Sequence, residues 1–332
     1  MKRSHVFLGV VATLCLTVSG QTLADSSPAE PTVSINFVGD IMLAGALGKT
    51  IKRGRDPFAP FASILDVADI VVGNLECVVA VGGMADPEKP FSFRAHPRVL
   101  RVLKRHFDVL VVANNHSGDF GPIAFSEMLD LLERQDIAYV GGGATLAQAH
   151  TPRLIERKGL RVALLGYNEF FPRSFEADYD RPGVAWSEDE QVKLDITTAR
   201  ARYRADLVIP VMHWGWEHEA LASQRQRQLA RLMIDAGADA VVGGHPHVTQ
   251  DIEHYNGKPI IYSLGNFVFD GFSDQDNNTG WLLQMELDRR GVRGWRTFVA
   301  RIDRHGIPHP AARSEGFCWV RGQDEALICG VD

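Results

Sequence analysis

Short apolar runs recur along this chain, at residues 33–38, 70–72, 109–113, 137–140, 161–165, 207–212, 240–242 and 259–263. Runs of this length without alternation suit strands buried on both faces. Between several of them the spacing turns helical. Phe125, Met128, Leu129 and Leu132 share one face of residues 124–134, and Leu229, Leu232 and Met233 share one face of residues 223–236. Strands alternating with helices predict an α/β fold. Towards the C-terminus, residues 281–287 and 295–302 read as two strands joined at Arg289-Arg290-Gly291, which predicts an antiparallel portion of sheet. Residues 33–332 show no internal repeat and no interdomain linker, so one domain is expected there.

The polar residues fall where the apolar runs stop. Residues 33–38 lead into Gly39-Asp40, 70–72 into Gly73-Asn74-Leu75-Glu76, and 109–113 into Asn114-Asn115-His116 with Asp119 following. Residues 207–212 lead into His213-Trp214-Gly215-Trp216-Glu217, 240–242 into Gly243-Gly244-His245-Pro246-His247, and 259–263 into Gly265-Asn266. In open α/β sheets, sites form outside the carboxyl ends of the strands. Glycines at such ends let the backbone turn sharply and approach a ligand. Histidine nitrogen mixed with carboxylate or amide oxygen suits Zn, Mn or Fe better than Ca or Mg.

Each residue has an ordinary alternative. Asp40 is placed as a turn or cap residue would be, Glu76 as a helix cap, and Asn115-His116 as turn hydrogen-bonding groups. His213 can stack on Trp214. The pair His245 and His247 after a glycine turn is the strongest single signal, since both rings can aim at one centre. Taken together the strand ends predict a metal-dependent site assembled from Asp40, Glu76, Asn115, His116, His213, His245 and His247. Asp119 and Glu217 read as partners that orient imidazoles. His106, His150, His254 and His309 follow no such strand and are expected at the surface.

Composition narrows the class. Apolar residues make up 45% of the 332 and charged residues 23%, which is ordinary for a soluble globular protein. A formal net charge of −6 with no long basic run gives no support to nucleic-acid binding. At the N-terminus Lys2-Arg3, an apolar stretch from Val6 to Val18, and Thr22-Leu23-Ala24 before Asp25 form the pattern of a cleaved secretory signal. The expected organisation is a signal peptide at 1–24, a linker at 25–32 and the domain at 33–332. It implies an exported protein with no membrane span after processing. The remaining cysteines are Cys77, Cys318 and Cys329. Cys318 and Cys329 are close enough in sequence to pair, and Cys77 reads as a buried small hydrophobe.

The ordered motifs resemble a known family. They are Phe37-Val38-Gly39-Asp40-Ile41-Met42, Gly73-Asn74-Leu75-Glu76, Phe91-Ser92-Phe93-Arg94, Ala113-Asn114-Asn115-His116 with Asp119 and Gly121, His213-Trp214-Gly215 with Glu217, Gly244-His245-Pro246-His247-Val248 with Gln250, and Tyr262-Ser263-Leu264-Gly265-Asn266-Phe267. In this order they resemble the bacterial capsule synthesis proteins of the CapA/PgsA type, associated with poly-γ-glutamate. Those proteins in turn resemble the calcineurin-like metallophosphoesterases. The resemblance implies a four-layer αββα sandwich and one or two divalent transition metal ions. It departs from the wider phosphoesterase pattern at Met42, where a metal-binding His stands, and at Asn74, where a bridging Asp stands. Glu76, two residues further along an extended strand, lies on the same side and can supply that carboxylate.

The resemblance implies metal-assisted hydrolysis, in which a cation lowers the pKa of a water and polarises the scissile bond. His116 would then be the general acid and not a ligand, with Asp119 holding it, and the metal ligands would be Asp40, Glu76, Asn115, His213, His245 and His247. On the substrate side stand Arg94, whose forked donors suit a carboxylate or phosphate, with Glu217 and Asn266. The implied substrate is an anionic polymer or a phosphoester, and the implied partners are capsule synthesis or export proteins. The rival reading is a non-catalytic polymer-binding or scaffolding component, which Met42 and Asn74 favour.

Overall fold

The Val33–Ile41 strand lies at the middle of a ten-stranded sheet. On one side it pairs in parallel with Ile70–Leu75, which is followed by Val109–Val111 and Ala138–Val140, all parallel. On the other side it pairs antiparallel with Thr279–Asp288, whose hairpin partner is Gly291–Ile302. The predicted antiparallel portion therefore extends the first sheet. The computed structural model describes residues 30–171 and 173–329, so the signal-peptide reading lies outside the described residues. From Pro31 onward the described residues form one compact unit.

A second sheet holds six strands in the order Ile252–Tyr255, Lys258–Ile261, Val241–Gly244, Leu207–His213, Leu160–Asn168 and Arg153–Arg157. Its central four are parallel and both edges are antiparallel. Alternation along its strands shows what covers each face. Val162, Leu164, Leu207 and Ile209 share one core with Val33, Ile35 and Leu283 of the first sheet. Ala163, Leu165, Tyr167 and Val208 share the other with Ile196, Leu229 and Met233. Those last three belong to helices Asp189–Ala201 and Gln224–Asp235. Helices Gly45–Lys52, Leu100–His106 and Gly121–Arg134 bury Leu47, Leu103, Phe125 and Met128 against the first sheet. The result is a four-layer αββα sandwich.

Helix signals in the sequence are local. Ser223 caps Gln224–Asp235 by accepting from the Gln226 amide, and the Gln226 side chain returns a bond to the Ser223 amide. The two edge strands and the Asp189–Ala201 helix lack an apolar run because much of each is exposed or half-buried. Near residue 262 the chain leaves the second sheet and enters the first. The expected strand ends at Ile261, and Asn266–Val268 is a separate strand parallel to Val33–Ile41.

His106 and His150 correct an expectation, for both are buried. His106 Nε2 lies 2.8 Å from Asp56 Oδ2, and His150 Nδ1 lies 2.7 Å from Asp195 Oδ2. His254 is half-buried and stacks on Trp295 and Trp319. Buried polar rings need hydrogen-bond or aromatic partners, and here these come from distant sequence. Cys318 and Cys329 form a disulfide. Cys77 is buried and free, and burial pushes its thiol up to about 12. Among the described residues no helix is long and apolar enough to cross a membrane.

Candidate metal centre

Carboxyl ends from both sheets meet at one place. Asp40 stands inside its strand, one residue before the end, where the register against Ile70–Leu75 shifts. Gly39 is required beside it, because a Cβ there would lie 2.0 Å from the Gly265 carbonyl oxygen. Gly244 of the second sheet is also required, because its Cβ would lie 2.7 Å from Asp40 Oδ1. The following amide, of His245, donates to Asp40 Oδ2 at 3.1 Å. Glycines thus let the two sheets close on a buried carboxylate.

Two groupings of potential ligand atoms share Glu76. One is Glu76, His213 and His245, and the other is Asp40, Glu76 and His247. Glu76 Oε1 lies 3.6 Å from His213 Nε2 and 3.8 Å from His247 Nε2. Asp40 Oδ2 lies 3.6 Å from His247 Nδ1. Asn115 Oδ1 lies 2.7 Å from His213 Nε2, and His245 Nδ1 lies 3.1 Å from the same nitrogen. All six predicted ligands therefore converge. His245 and His247 adopt φ of +96° and +59°. That left-handed backbone costs a non-glycine residue on the order of 1–3 kcal/mol at each position. The strained turn is what brings both rings to bear.

The electrostatics of the cluster call for a cation. Glu76 has no solvent exposure, and among the described residues no N–H donor bonds either of its oxygens, which lie against the Asp40 carboxyl. Burial pushes its carboxyl well above the usual range, and the neighbouring Asp40 pushes it further. Burial also raises Asp40, against the opposing pull of His247 and of bonds from Asn74 and His245. Burial holds His213 and His245 well below the usual imidazole range, and the neighbouring imidazoles add to this. His245 Nε2 is buried without a partner. Neutral imidazoles, carboxylates and an amide oxygen around orphaned buried atoms are a donor set that fits a divalent transition metal.

Around the cluster other side chains hold the ligands. Asp119 Oδ2 lies 2.7 Å from His116 Nδ1. His116 Nε2 faces inward, 4.0 Å from Glu76 Oε1. Asn74 donates to Asp40 Oδ1 at 2.8 Å and lies 3.1 Å from His213 Nδ1. Asn266 Oδ1 lies 2.9 Å from His247 Nδ1, and its amide donates to the His247 and Asn277 carbonyls. Asn266 is thus buried behind His247 and not on the substrate side. Glu217 is exposed, and among the described residues it makes no hydrogen bond to an imidazole. Arg94 holds a loop through one nitrogen: its Nη1 donates to the carbonyls of Val81, Gly82 and Gly83, and its guanidinium lies 4.2 Å over the Phe120 ring.

Nothing in the local sequence points to Lys89. Its ammonium donates to Asp119 and, at 2.5 Å, to the Asn115 carbonyl. It lies between Pro87 and Pro90, a context that reads as an exposed loop.

An αββα sandwich with a histidine–carboxylate cluster where the two sheets meet defines the class. The chain belongs to the bacterial capsule synthesis protein PGA_cap family, whose model matches residues 34–271. It is 33% identical over 321 residues to the PGA biosynthesis protein CapA of Bacillus subtilis, covering 93% of this chain and 83% of that one. It is 33% identical over 246 residues to the capsule biosynthesis protein CapA of Bacillus anthracis, covering 72% of this chain and 60% of that one. Among solved structures it is similar to the NAD nucleotidase NadN of Haemophilus influenzae, with 12% identity, a TM-score of 0.48, and coverage of 86% of this chain and 61% of that one.

Proposed function

We propose that this chain is an exported metal-dependent hydrolase that acts on an anionic polymer or phosphoester in capsule synthesis or processing. The observation that carries the reading is Glu76, a fully buried carboxylate with both oxygens unpartnered among the rings of His116, His213 and His247. Asp40, Glu76, Asn115, His213, His245 and His247 would hold one or two ions of Zn, Mn or Fe. When bound, such an ion polarises a scissile bond and makes water a competent nucleophile near neutral pH. Phe93, Phe170 and Phe269 pack on His116, His245 and His247 and limit water around the rings. Asp119 keeps His116 Nε2 directed at the cluster, where it can hand a proton to a leaving group.

One observation favours a second reading, a polymer-binding component without turnover. Asn74 stands where the wider phosphoesterase pattern has a bridging carboxylate, and its amide instead holds Asp40. Elemental analysis followed by screening of phosphodiester and γ-glutamyl substrates, with each metal restored in turn, separates the two. Bound metal with turnover supports the hydrolase. Bound metal with polymer binding and no turnover supports the second reading.

His245→Ala and His247→Ala are each expected to remove most of the bound metal, since a centre with few nitrogen ligands cannot spare one. Unchanged stoichiometry in both variants rules out the centre. Export is expected to leave a mature chain beginning near Asp25, and intact mass of the protein from its native host checks this. Retention of residues 1–24 contradicts it.

A further inference from the structure

The segment between Val79 and Arg94 folds over the turn that carries Asn115, His116 and Asp119. The Asp86 amide donates to the Asp119 carbonyl at 3.0 Å, and the Phe93 amide donates to Asp119 Oδ2 at 2.7 Å. The Phe93 ring packs on His116, with 4.4 Å between centroids. The far end of the segment is fixed as well. Glu127 accepts from the amides of Val81 and Gly82, and Arg94 donates to the carbonyls of Gly82 and Gly83. From this fastened segment Lys89 reaches inward to Asp119 Oδ1 and the Asn115 carbonyl.

The Asp119 side chain has no solvent exposure. A carboxylate in that setting needs a cation and several donors to stay in one place. Asp119 has the Lys89 ammonium on one oxygen, and the Phe93 amide and His116 on the other. With Oδ1 held, Oδ2 stays directed at Nδ1. Lys89 is itself only 15% exposed in its side chain and engages two acceptors, so it does not present a free charge to an anionic substrate.

We propose that Lys89 is a positioning residue. It clamps Asp119 and the Asn115 backbone together, which fixes the His116 ring with Nδ1 on the carboxylate and Nε2 facing the cluster. Its effect on turnover rests on the hydrolase reading, but the clamp itself does not.

The test uses the purified full chain labelled with 15N-histidine, in wild-type, Lys89→Gln, Lys89→Arg and His116→Gln forms. The wild type should show a low-field, slowly exchanging imidazole proton that is missing from His116→Gln, which assigns it to Nδ1 of His116. Lys89→Gln should lose that resonance, or exchange it at least about tenfold faster, while the other buried imidazole signals persist and report an intact fold. Lys89→Arg keeps a cation at the clamp and should largely restore it. If Lys89→Gln unfolds, the comparison between wild type and Lys89→Arg at graded temperature replaces it, with the His116 proton the first imidazole signal lost in the variant. An unaltered His116 proton in folded Lys89→Gln overturns the proposal, as does its absence from the wild type. On an active substrate, Lys89→Gln should lose roughly 10–100-fold in kcat with little change in KM, the usual effect of a residue behind a functional group. The expected proton behaviour with no hydrolysis by any form leaves the clamp standing and removes the hydrolase reading.

Discussion

His116→Ala is expected to keep its metal and to lose turnover by roughly 10²–10⁴-fold, the usual worth of a positioned acid or base. The geometry separates His116 from the ligands. Neither grouping of potential ligand atoms includes it, its Nδ1 is taken by Asp119, and its Nε2 stands 4.0 Å from Glu76. A proton donor should matter in proportion to the need of the leaving group. Loss should therefore be large on a substrate with an alkoxide or amine leaving group, and much smaller on an activated aryl ester. Asp119→Asn should fall between wild type and His116→Ala, because it disturbs orientation without removing the ring. His213→Ala should lose metal and activity together on every substrate, since its Nε2 is shared by Asn115, His245 and Glu76. Metal content measured beside kcat for each variant decides the matter. Loss of metal from His116→Ala, or equal impairment on both kinds of leaving group, assigns the acid elsewhere.

Strand ends were legible because burial on both faces makes a run continuously apolar, so the polar residues that follow it stand out. Asp40, Glu76, Asn115, His213, His245 and His247 all lie within a few residues of such an end. What lay beyond the pattern depends on contacts between distant segments. Lys89 sits 30 residues from Asp119 in a proline-flanked loop, where a lysine ordinarily faces water. The buried partners of His106 and His150 are 50 and 45 residues away. Arg94, Glu217 and Asn266 were placed on the substrate side by the resemblance. The bonds of Arg94 Nη1 to backbone carbonyls 11 to 13 residues away, and of Asn266 to His247 and Asn277, follow no local pattern. The exposed edge strands had too few buried positions to show a period. Left-handed φ at His245 and His247 is not written in residue types that avoid it, and follows only from the closure of two sheets on Asp40.

Glu76→Gln is expected to abolish metal binding and yet to stabilise the metal-free protein above pH 6.5. The sign follows from what burial does to each group. The Glu76 carboxyl is raised well above its ordinary value, so its contribution to stability is complete below the unfolded value near 4.5 and is lost as pH rises through the folded one. Asp40, also raised, acts in the same direction. His213 and His245 are depressed, so the folded state resists protonating them, and they reduce stability only below their ordinary value of 6.5. Between about pH 4.5 and 6.5 the carboxylates and imidazoles act in opposite directions. Above 6.5 the imidazoles are neutral in both folded and unfolded chains, and only the carboxylates remain. Metal-free wild type should therefore lose stability with rising pH in that window, by up to about 1.4 kcal/mol per pH unit from Glu76 until its folded value is passed. Glutamine carries no charge at any pH and should remove the part of the slope that Glu76 supplies. Metal should reverse the order, because it binds the folded wild type and leaves Glu76→Gln unaffected. Thermal midpoints of both proteins from pH 6.5 to 9, with chelator and with saturating zinc or manganese, give the four curves needed. If Glu76→Gln is less stable than wild type in chelator across that range, Glu76 has a partner in the folded protein and the centre is built around some other group.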